Sequence, residues 1–564
     1  MYKRLVVLIC FIVHQLASAQ SDKLRYTFQL NEAKDAIDVI MTYHQHSKDT
    51  FTLLIPSNYD NMSLKNTVLV SDIELISEGK LIEIGGNRYR YEGNEREIVL
   101  SYSIPSLSGD YEYLPCEGSS YFQPAITKNF FHMYGDMSLI LPEFKSDENV
   151  LFDIEIEWKG FPKDWHIAND FGISKNNKGK RLKQSKEKLT IGDIGQTLFF
   201  GGNYRKFKFS NAGVNFQTYI YGDFQFSDEN LIANIKNMTN SQMEFWKHFN
   251  HSKEYVISIM QKGKDCGKIS GRNMLDSYSF YMSGNFTKKQ LPVVFSKGLT
   301  HEFTHSWIGM NLIGNNPKWK ETLWFVEGFT EYSTQLVNLK ADIINKKQYV
   351  SILNNSIVDY LLSPYATTEL EDFAAKYDFS DKFRQLAYDK GVVFAFYLDG
   401  YIREQSNNKF NLKDYLIAIV DTSKERINGN LDIKIMCDIA KEYIKVDISH
   451  LIERYIVQGE IIPIESPLIE SLRFKEMVSF DYGFDFLTSM DKEVIVGLKP
   501  NSNAYKQGLR NGQKLKAIKA ITDKVNGTIG IDVIDKSRVV SILFKPQGRT
   551  IKVPLINKLI TINN

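Results

Sequence analysis

The feature that most restricts what this chain can fold into is the segment His301-Glu302-Phe303-Thr304-His305. On an α-helix, residues four positions apart lie on one face, so both imidazole rings can reach a single metal ion. Glu302 then projects beside that ion rather than onto it. The segment therefore predicts a helix that presents two metal ligands and one free carboxylate to a shared site.

A third ligand is predicted from the stretch 324–332, which reads WFVEGFTEY and follows a loop that contains Pro317. A zinc site that does chemistry needs three protein ligands and one position left for water. A second helix packed antiparallel to the first would present Glu327 to both histidines. Glu331, one turn later, could then accept a hydrogen bond from a histidine ring and fix its tautomer. The alternative for Glu327 is a solvated glutamate on a helix face.

The N-terminus has the layout of a cleavable export signal. Lys3 and Arg4 precede a nine-residue apolar run, and the small residues Ala17-Ser18-Ala19 follow it. Such a run is far shorter than the roughly 20 apolar residues that cross a membrane. We therefore expect residues 1–19 to be removed and the remaining chain to be exported without a transmembrane anchor. The periplasm is favoured over the extracellular space.

The charge balance excludes several kinds of partner. The 564 residues include 69 Lys and Arg against 67 Asp and Glu, a net charge of +2. Cleavage removes Lys3 and Arg4 and no acid, which leaves 67 basic against 67 acidic residues and a net charge of zero. Nucleic-acid binding and membrane-surface binding normally require a basic excess. We expect peptide or protein substrates and no nucleic acid partner.

The cysteine count argues against a disulfide framework. Of the four cysteines, Cys10 lies in the predicted signal, and Cys116, Cys266 and Cys437 remain. Three cysteines form at most one disulfide, so at least one thiol stays unpaired.

The hydrophobic pattern predicts a multidomain α+β protein. Apolar and acidic residues alternate along Phe152–Trp158, which is typical of a half-buried strand, and similar runs predict a β-rich domain over residues 20–222. Residues 223–465 are predicted to be mainly helical and to form the catalytic domain, since Ser227-Asp228-Glu229 has the composition of a helix start. Strand patterns return over residues 470–558, which predicts a small C-terminal β domain.

HEFTH followed by EGFTEY resembles the gluzincin metallopeptidases, in which HExxH is followed by a glutamate ligand in this context. The 21 residues between His305 and Glu327 exceed the gap in the alanyl aminopeptidase family. The longer gap, the segment YDKG at 388–391 and the segment LDGYIREQS at 398–406 are similar to the glycyl aminopeptidase family. The resemblance covers residues 210–560 and implies a thermolysin-like catalytic domain.

The resemblance also implies a role for each site residue. One zinc ion per chain would be held by His301, His305 and Glu327, while Glu302 would act as general base and Tyr388 would stabilise the oxyanion. Zinc lowers the pKa of a bound water toward about 7, so a carboxylate can take its proton. The implied function is a zinc-dependent peptidase.

One segment departs from the family pattern. Aminopeptidases of this clan hold the free amine of the substrate with a glutamate upstream of HExxH. In the corresponding segment, residues 270–277, Asn273 stands where that glutamate belongs. An amide cannot supply the charge that pairs with an ammonium group. Asp276 in a different register is an alternative, and exopeptidase or endopeptidase specificity stays open.

The C-terminal region resembles a PDZ domain, a module that often ends members of the glycyl aminopeptidase family. Gly483, Phe484, Asp485 and Phe486 correspond to the loop that binds a peptide's C-terminal carboxylate, while the peptide adds as a strand. Gln513 replaces an aspartate of the usual pattern. Two interpretations stay open: the module binds C-terminal peptides and could gate the active site, or it only packs on the catalytic domain.

A different class of function is also open. The chain could be a non-catalytic peptide-binding protein of the cell envelope that uses its PDZ-like domain on a decayed peptidase scaffold. Intact metal ligands, general base and tyrosine argue against this alternative, and metal analysis separates the two.

Overall fold

A computed structural model describes residues 22–560, apart from 46–50, 59–66, 107–111, 115–122, 145–149, 172–181, 248–252, 264–268, 315, 521–523 and 537. The predicted export signal therefore lies outside the described residues, as do Cys10, Cys116 and Cys266. Cys437 is described and carries a buried free thiol. Among the described residues, no helix combines the length and the apolar character that crossing a membrane requires.

The chain divides into two compact units. The first comprises Met1–Thr239 and Asn250–Val294, and the second comprises Asn240–Phe249 and Phe295–Asn564.

The first unit is built from β-sheets, in agreement with the predicted β-rich N-terminal region. Its strands are β1 Asp22–Leu30, β2 Ala36–His44, β3 Phe51–Leu54, β4 Ser57–Asn58, β5 Thr67–Val68, β6 Ser71–Leu75, β7 Lys80–Gly85, β8 Arg88–Glu92, β9 Glu97–Pro105, β10 Ala125–Ile126, β11 Phe130–Tyr134, β12 Leu141–Phe144, β13 Phe152–Lys159, β14 His166–Asn169, β15 Leu182–Leu189, β16 Leu198–Gly202, β17 Arg205–Asn211, β18 Val214–Tyr221, β19 Glu254–Lys262, β20 Ile269–Asn273 and β21 Ser277–Ser283.

The largest sheet of this unit has the order β15-β13-β1-β2-β9-β6. Strand β13 follows the alternating pattern up to Ile156, because Phe152, Ile154 and Ile156 are buried while Glu155 is exposed, but Glu157 is buried as well. β13 runs parallel to β1, and the ring of Phe28 stacks on Trp158 with 4.7 Å between centroids. Burial of one face of such a sheet supplies most of its stabilisation.

A second sheet of the first unit has the order β17-β18-β19-β21-β20. It extends past residue 222, where the helical region was predicted to begin. β19 pairs in parallel with β18, so β19, β20 and β21 complete a sheet that starts before the predicted boundary. Strand β20, which carries Asn273, forms one edge of this sheet and runs antiparallel to β21.

Helices of the first unit are short, apart from one that continues into the second. They are α1 Gly135–Ser138, α2 Ile191–Gly195, α3 Asp228–Trp246 and α4 Leu291–Val294. Helix α3 begins at Asp228, as predicted, and belongs to the second unit from Asn240 onward.

The second unit is mainly helical up to about residue 460, as predicted. Its helices are α5 Thr300–Thr304, α6 Met310–Ile313, α7 Leu323–Lys340, α8 Lys346–Leu362, α9 Leu370–Ala375, α10 Asp381–Gln405, α11 Leu412–Asp421, α12 Ile433–Ile439 and α13 Ser449–Leu451. Polar side chains accept hydrogen bonds at several helix starts: Asn345 caps α8, Ser380 caps α10 and Asn411 caps α11.

Strands return after residue 468, in agreement with the predicted C-terminal β domain. They are β22 Ile469–Phe480, β23 Lys514–Ala520, β24 Ile529–Asp535, β25 Arg538–Phe544 and β26 Gln547–Leu559, with helices α14 Phe486–Lys492 and α15 Asn503–Lys506 between them. β22 pairs with β26, and the order β23-β24-β25 forms a separate sheet. We refer to residues 469–559 as the C-terminal module.

Candidate metal centre

Helix α5 presents the two histidines on one face, as predicted. It follows a π-helical stretch, Phe295–Leu299. It ends at the C-cap residue His305, whose backbone angles are still helical. The amide of His305 donates to the carbonyl oxygen of His301 at 3.3 Å, and the two imidazole rings lie 4.7 Å apart between centroids. One helical turn therefore brings both rings to the same place.

Three donor atoms meet at this face of the helix. Nε2 of His301 lies 3.1 Å from Nε2 of His305. Oε2 of Glu327, from helix α7, lies 3.4 Å from the first of these nitrogens and 3.5 Å from the second. Tetrahedral zinc with bonds of about 2.0–2.1 Å holds neighbouring donors about 3.3–3.4 Å apart. The three atoms therefore have the spacing of a zinc site.

The hydrogen bonds of the rings fix their tautomers. Nδ1 of His305 lies 2.8 Å from the carbonyl oxygen of Ile308, and Nδ1 of His301 lies 3.0 Å from Oε2 of Glu331. Both of these oxygen atoms can only accept a hydrogen bond. Each Nδ1 therefore carries the proton, and each neutral ring has its lone pair on Nε2. Among the described residues, the buried Oε2 of Glu327 has no hydrogen-bond donor. Three lone pairs thus face one space, which is the environment of a cation.

The same geometry shifts the acidities at the centre. Burial raises the pKa of the Glu327 carboxyl, but the imidazoles of His305 and His301 more than offset this, so the pKa lies well below its usual range. Burial lowers the pKa of His301, while the carboxylates of Glu327 and Glu331 raise it, with a net value of about 10. The site therefore holds positive charge strongly, and a divalent ion can take the place of the proton.

Tyr388 and Glu302 lie beside the three donors. The ring of Tyr388, on helix α10, stacks on His301 with 5.8 Å between centroids and 27° between planes. Burial raises the pKa of the Tyr388 phenol well above 10, and the nearby carboxylates of Glu327 and Glu302 raise it further. The phenol therefore stays protonated and remains a hydrogen-bond donor at neutral pH. Glu302 is half-buried.

Two glycines bring the helices of Glu327 and Tyr388 together. A Cβ atom on Gly391 would lie within 3.0 Å of the carbonyl oxygen of Trp324 and of the Cα of Gly328. Helices α7 and α10 therefore cross in direct backbone contact. Gly328 follows Glu327, and Gly391 follows Tyr388 by nearly one turn. Both glycines stand in the motifs EGFTEY and YDKG, but the motifs alone do not predict this role.

The predicted amine-recognition residues lie in the first unit. Nδ2 of Asn273 donates to the hydroxyl of Tyr255 at 3.1 Å. The carboxylate of Asp276 is buried and accepts from Nζ of Lys186 at 2.6 Å, and its own amide donates to Asp170. Asp276 is therefore part of an internal ion pair, so its carboxylate already has a cationic partner.

Two amides of the predicted carboxylate-binding loop in the C-terminal module donate hydrogen bonds within the chain. The amide of Gly483 donates to Oδ1 of Asp481 at 2.8 Å, and that of Asp485 donates to the carbonyl oxygen of Val496 at 3.0 Å. Phe484 and Phe486 are buried. Asp485 caps helix α14, which therefore begins inside the predicted loop, at Phe486.

Sequence analysis did not identify the buried polar residues behind the histidines. They are Gln242, Thr300, Thr304, Thr334 and Asn338, all fully buried. A signal was present, since Glu327, Glu331, Thr334 and Asn338 recur at helical spacing on α7.

The HExxH helix and the distal glutamate define this region as a zinc metallopeptidase domain. Residues 295–402 match the family model of the M61 glycyl aminopeptidases. The resemblance to a gluzincin aminopeptidase-like family is thereby confirmed for the catalytic region, and zinc is the metal that the donor set fits.

Solved structures show a similar fold. An aminopeptidase N family protein from Idiomarina loihiensis has 13% identity and a TM-score of 0.68, covering 95% of this chain and 98% of that chain. An M1 zinc metallopeptidase from Deinococcus radiodurans has 11% identity and a TM-score of 0.52, covering 80% and 96%. At these identities the likeness is one of fold. No curated protein sequence matches the chain.

Proposed function

We propose that the protein is an exported peptidase that hydrolyses peptide bonds with Glu302 as general base and Tyr388 as oxyanion donor. The observation that carries this proposal is the meeting of three lone pairs from His301, His305 and Glu327 beside these two side chains. The exported location is proposed from the sequence of the predicted export signal alone.

Each residue has a defined task in the reaction. When bound, zinc supplies an acidified water and a Lewis acid. Glu302 would accept a proton from the attacking water while the water oxygen adds to the carbonyl carbon of the peptide bond. Tyr388 donates a hydrogen bond to the carbonyl oxygen as negative charge grows there. Glu302 then passes the proton to the leaving nitrogen as the C–N bond breaks.

The proposed substrates are peptides without a strict requirement for a free N-terminus. Asn273 has no charge to pair with an ammonium group, and Lys186 already neutralises Asp276. A variant of the Deinococcus radiodurans metallopeptidase is described as bound to a Tyr-Ser-Ala substrate, which supports short peptides as the substrate class.

The proposed role of the C-terminal module is to stabilise the catalytic helices rather than to bind C-terminal peptides. The hydroxyl of Tyr365 donates to that of Tyr482 at 3.3 Å, and Nζ of Lys382 lies 3.7 Å from the ring centroid of Phe480. These contacts join the beginning of the module to helix α10 and to the loop that precedes α9.

Replacing Glu302 tests the mechanism. We expect Glu302→Gln to lower peptide hydrolysis by at least about 10³-fold, because an amide cannot accept the proton, while one zinc per chain stays bound. Glu371→Gln, an exposed glutamate on α9, is the matched control and should keep full activity. Activity retained by Glu302→Gln would refute the assigned base, and purified wild-type protein that cannot take up zinc would refute the metal site.

Substrate end groups test the specificity. One peptide is offered with a free and with an acetylated N-terminus, and cleavage is followed by mass spectrometry. We expect both forms to be cleaved, with kcat/KM within about tenfold, because Asn273 lacks the charge that would distinguish them. Complete protection by acetylation would show that the protein is a strict aminopeptidase.

A further inference from the structure

We propose that a row of buried polar side chains behind the metal centre sets the register between the two ligand-bearing helices, with Thr304 as its central positioning residue. This inference rests on the zinc site of the proposed function. We call the row the polar ladder, and its members are Gln242, Thr300, Thr304, Thr334 and Asn338.

The spacing along both helices places the polar ladder next to the ligands. On α5, Thr300 and Thr304 each precede a ligand histidine by one position, so they form a second row beside His301 and His305. On α7, Glu327 and Glu331 are followed at helical spacing by Thr334 and Asn338. One face of α7 therefore carries first the carboxylates and then the polar ladder.

Thr304 makes three polar contacts across this interface. Its Oγ1 donates to the carbonyl oxygen of Thr300 at 2.7 Å and accepts from Nε2 of Gln242 at 2.7 Å. Oγ1 of Thr334 lies 3.3 Å away on α7. The hydroxyl of Thr304 thus links α5 both to α3 and to α7.

The ends of the polar ladder are held as well. Oγ1 of Thr300 donates to Oδ1 of Asn338 at 2.7 Å. Nε1 of Trp246 donates to Oε1 of Gln242 at 2.7 Å, which fixes the direction of that amide. The ring of Trp246 in turn stacks on Trp307, with 5.6 Å between centroids.

The resulting pairs run antiparallel along the two helices. His305 faces Glu327, His301 faces Glu331, Thr304 faces Thr334, and Thr300 faces Asn338. Sliding α7 by one residue would move each group about 1.5 Å and rotate it about 100°, which would break all four pairs.

Polar groups are suited to this task because their contacts have direction. Apolar side chains at the same positions would bury equal surface but would tolerate several registers. Hydrogen bonds weaken steeply with distance and angle, so satisfied buried groups select one register. The donor atoms of the metal centre, within 4.8 Å of one another, require that register.

The test measures zinc affinity in the folded full-length protein, by competition with a chromophoric chelator, so that turnover is not needed. Thr304→Val keeps the shape of the side chain and removes the hydroxyl. We expect zinc binding about tenfold or more weaker than in the wild type, as for other residues that orient metal ligands. Thr304→Ser should restore the affinity to within about threefold, because the hydroxyl is what matters.

Ser333→Ala is the matched control. Ser333 is fully buried on α7, and its hydroxyl has no hydrogen-bond partner among the described residues. We expect its zinc affinity to equal that of the wild type. If Thr304→Val does not fold, Thr334→Val removes the weaker contact to the same hydroxyl and should still weaken zinc binding severalfold.

Three results would overturn the inference while leaving the proposed function standing. Thr304→Val that binds zinc as tightly as the wild type, with only a lower unfolding midpoint, would show a purely structural role. Failure of Thr304→Ser to restore affinity, or an equal loss in Ser333→Ala, would do the same. Wild-type protein that binds no zinc would instead overturn the proposed function, and this inference with it.

Discussion

At the scale of single residues, Lys390 lies in an environment that is unusual for a lysine. It follows Tyr388 by two positions on α10, yet only 5% of its surface is exposed. Its Nζ lies 3.5 Å from the carbonyl oxygen of Thr368, and most of the residues around the adjacent small cavity are apolar. Burial lowers the pKa of this ammonium from 10.5 to about 8.

The shift links stability to pH. The native state holds this proton more weakly than the unfolded chain does, so the free energy of unfolding rises as pH increases from about 8 toward 10.5. Below pH 8 Lys390 is protonated in both the folded and the unfolded state, so the full free-energy cost of burying its charge is present. At about 1.4 kcal/mol per pKa unit, this cost is about 3 kcal/mol.

Replacing this lysine should therefore stabilise the fold. We expect Lys390→Met to raise the free energy of unfolding at pH 7 by about 1–3 kcal/mol, since it removes a buried charge and keeps the apolar stem. The gain over wild type should shrink between pH 8 and 10.5. Urea unfolding at pH 7 and pH 10 measures it, and Lys347→Met on the exposed side of α8 is the control. If Lys390→Met were less stable than the wild type, by an amount that does not change with pH, burial of the Lys390 charge would not carry the cost assigned to it.

At the scale of secondary-structure elements, the crossing of α7 and α10 decides the geometry of the site. A Cβ on Gly391 would clash with the carbonyl oxygen of Trp324 and the Cα of Gly328. Both are backbone atoms, so neither can move aside by a side-chain rotation. The crossing therefore depends on the absence of two side chains, and it sets the distance between Glu327 and Tyr388.

Adding one methyl group should separate these helices. We expect Gly391→Ala to lower the free energy of unfolding by about 2–3 kcal/mol and to reduce kcat more than it raises KM, because Tyr388 moves away from His301. Steady-state kinetics and urea unfolding measure the two effects. Gly192→Ala in α2, where the nearest atom to the new Cβ is 3.6 Å away, is the control and should be neutral. An unchanged Gly391→Ala enzyme would show that the helices can separate without loss.

At the scale of the whole molecule, one asparagine fastens the C-terminal module to the catalytic helices. Nδ2 of Asn354, on α8, donates to the carbonyl oxygen of Ile556 at 2.9 Å, and the amide of Ile556 donates to Oδ1 of Asn354 at 2.7 Å. The side chain thus pairs with β26 as a neighbouring strand would, and all of these groups are buried.

Removing this side chain should loosen the module. We expect Asn354→Leu to leave both backbone groups of Ile556 without partners, which costs about 1–3 kcal/mol for each group or releases β26 from α8. Hydrogen exchange of the amides in 551–559 should accelerate by at least about tenfold. Asn355→Leu, on the exposed side of the same helix, is the control and should leave exchange unchanged. Unchanged exchange in Asn354→Leu would show that packing alone holds the module.

The catalytic motif could be predicted because its geometry is local. His301 and His305 share a face through helical periodicity alone, and Glu327 and Glu331 follow the same rule on the next long helix. Tyr388 could be assigned only by resemblance, since nothing in its own neighbourhood distinguishes it from the other tyrosines of the chain.

The sequence by itself determined the residue types of the site, the order of its elements and the helical spacing that aligns the metal ligands. Tertiary structure alone decided that Asp276 pairs with Lys186, 90 positions away, and that strands β19, β20 and β21 complete a sheet begun before residue 222. It also decided that a helix begins inside the loop at 483–486 and that Thr304 meets Thr334. Periodicity is read from neighbouring residues, whereas these pairings depend on which distant segments the folded chain brings together.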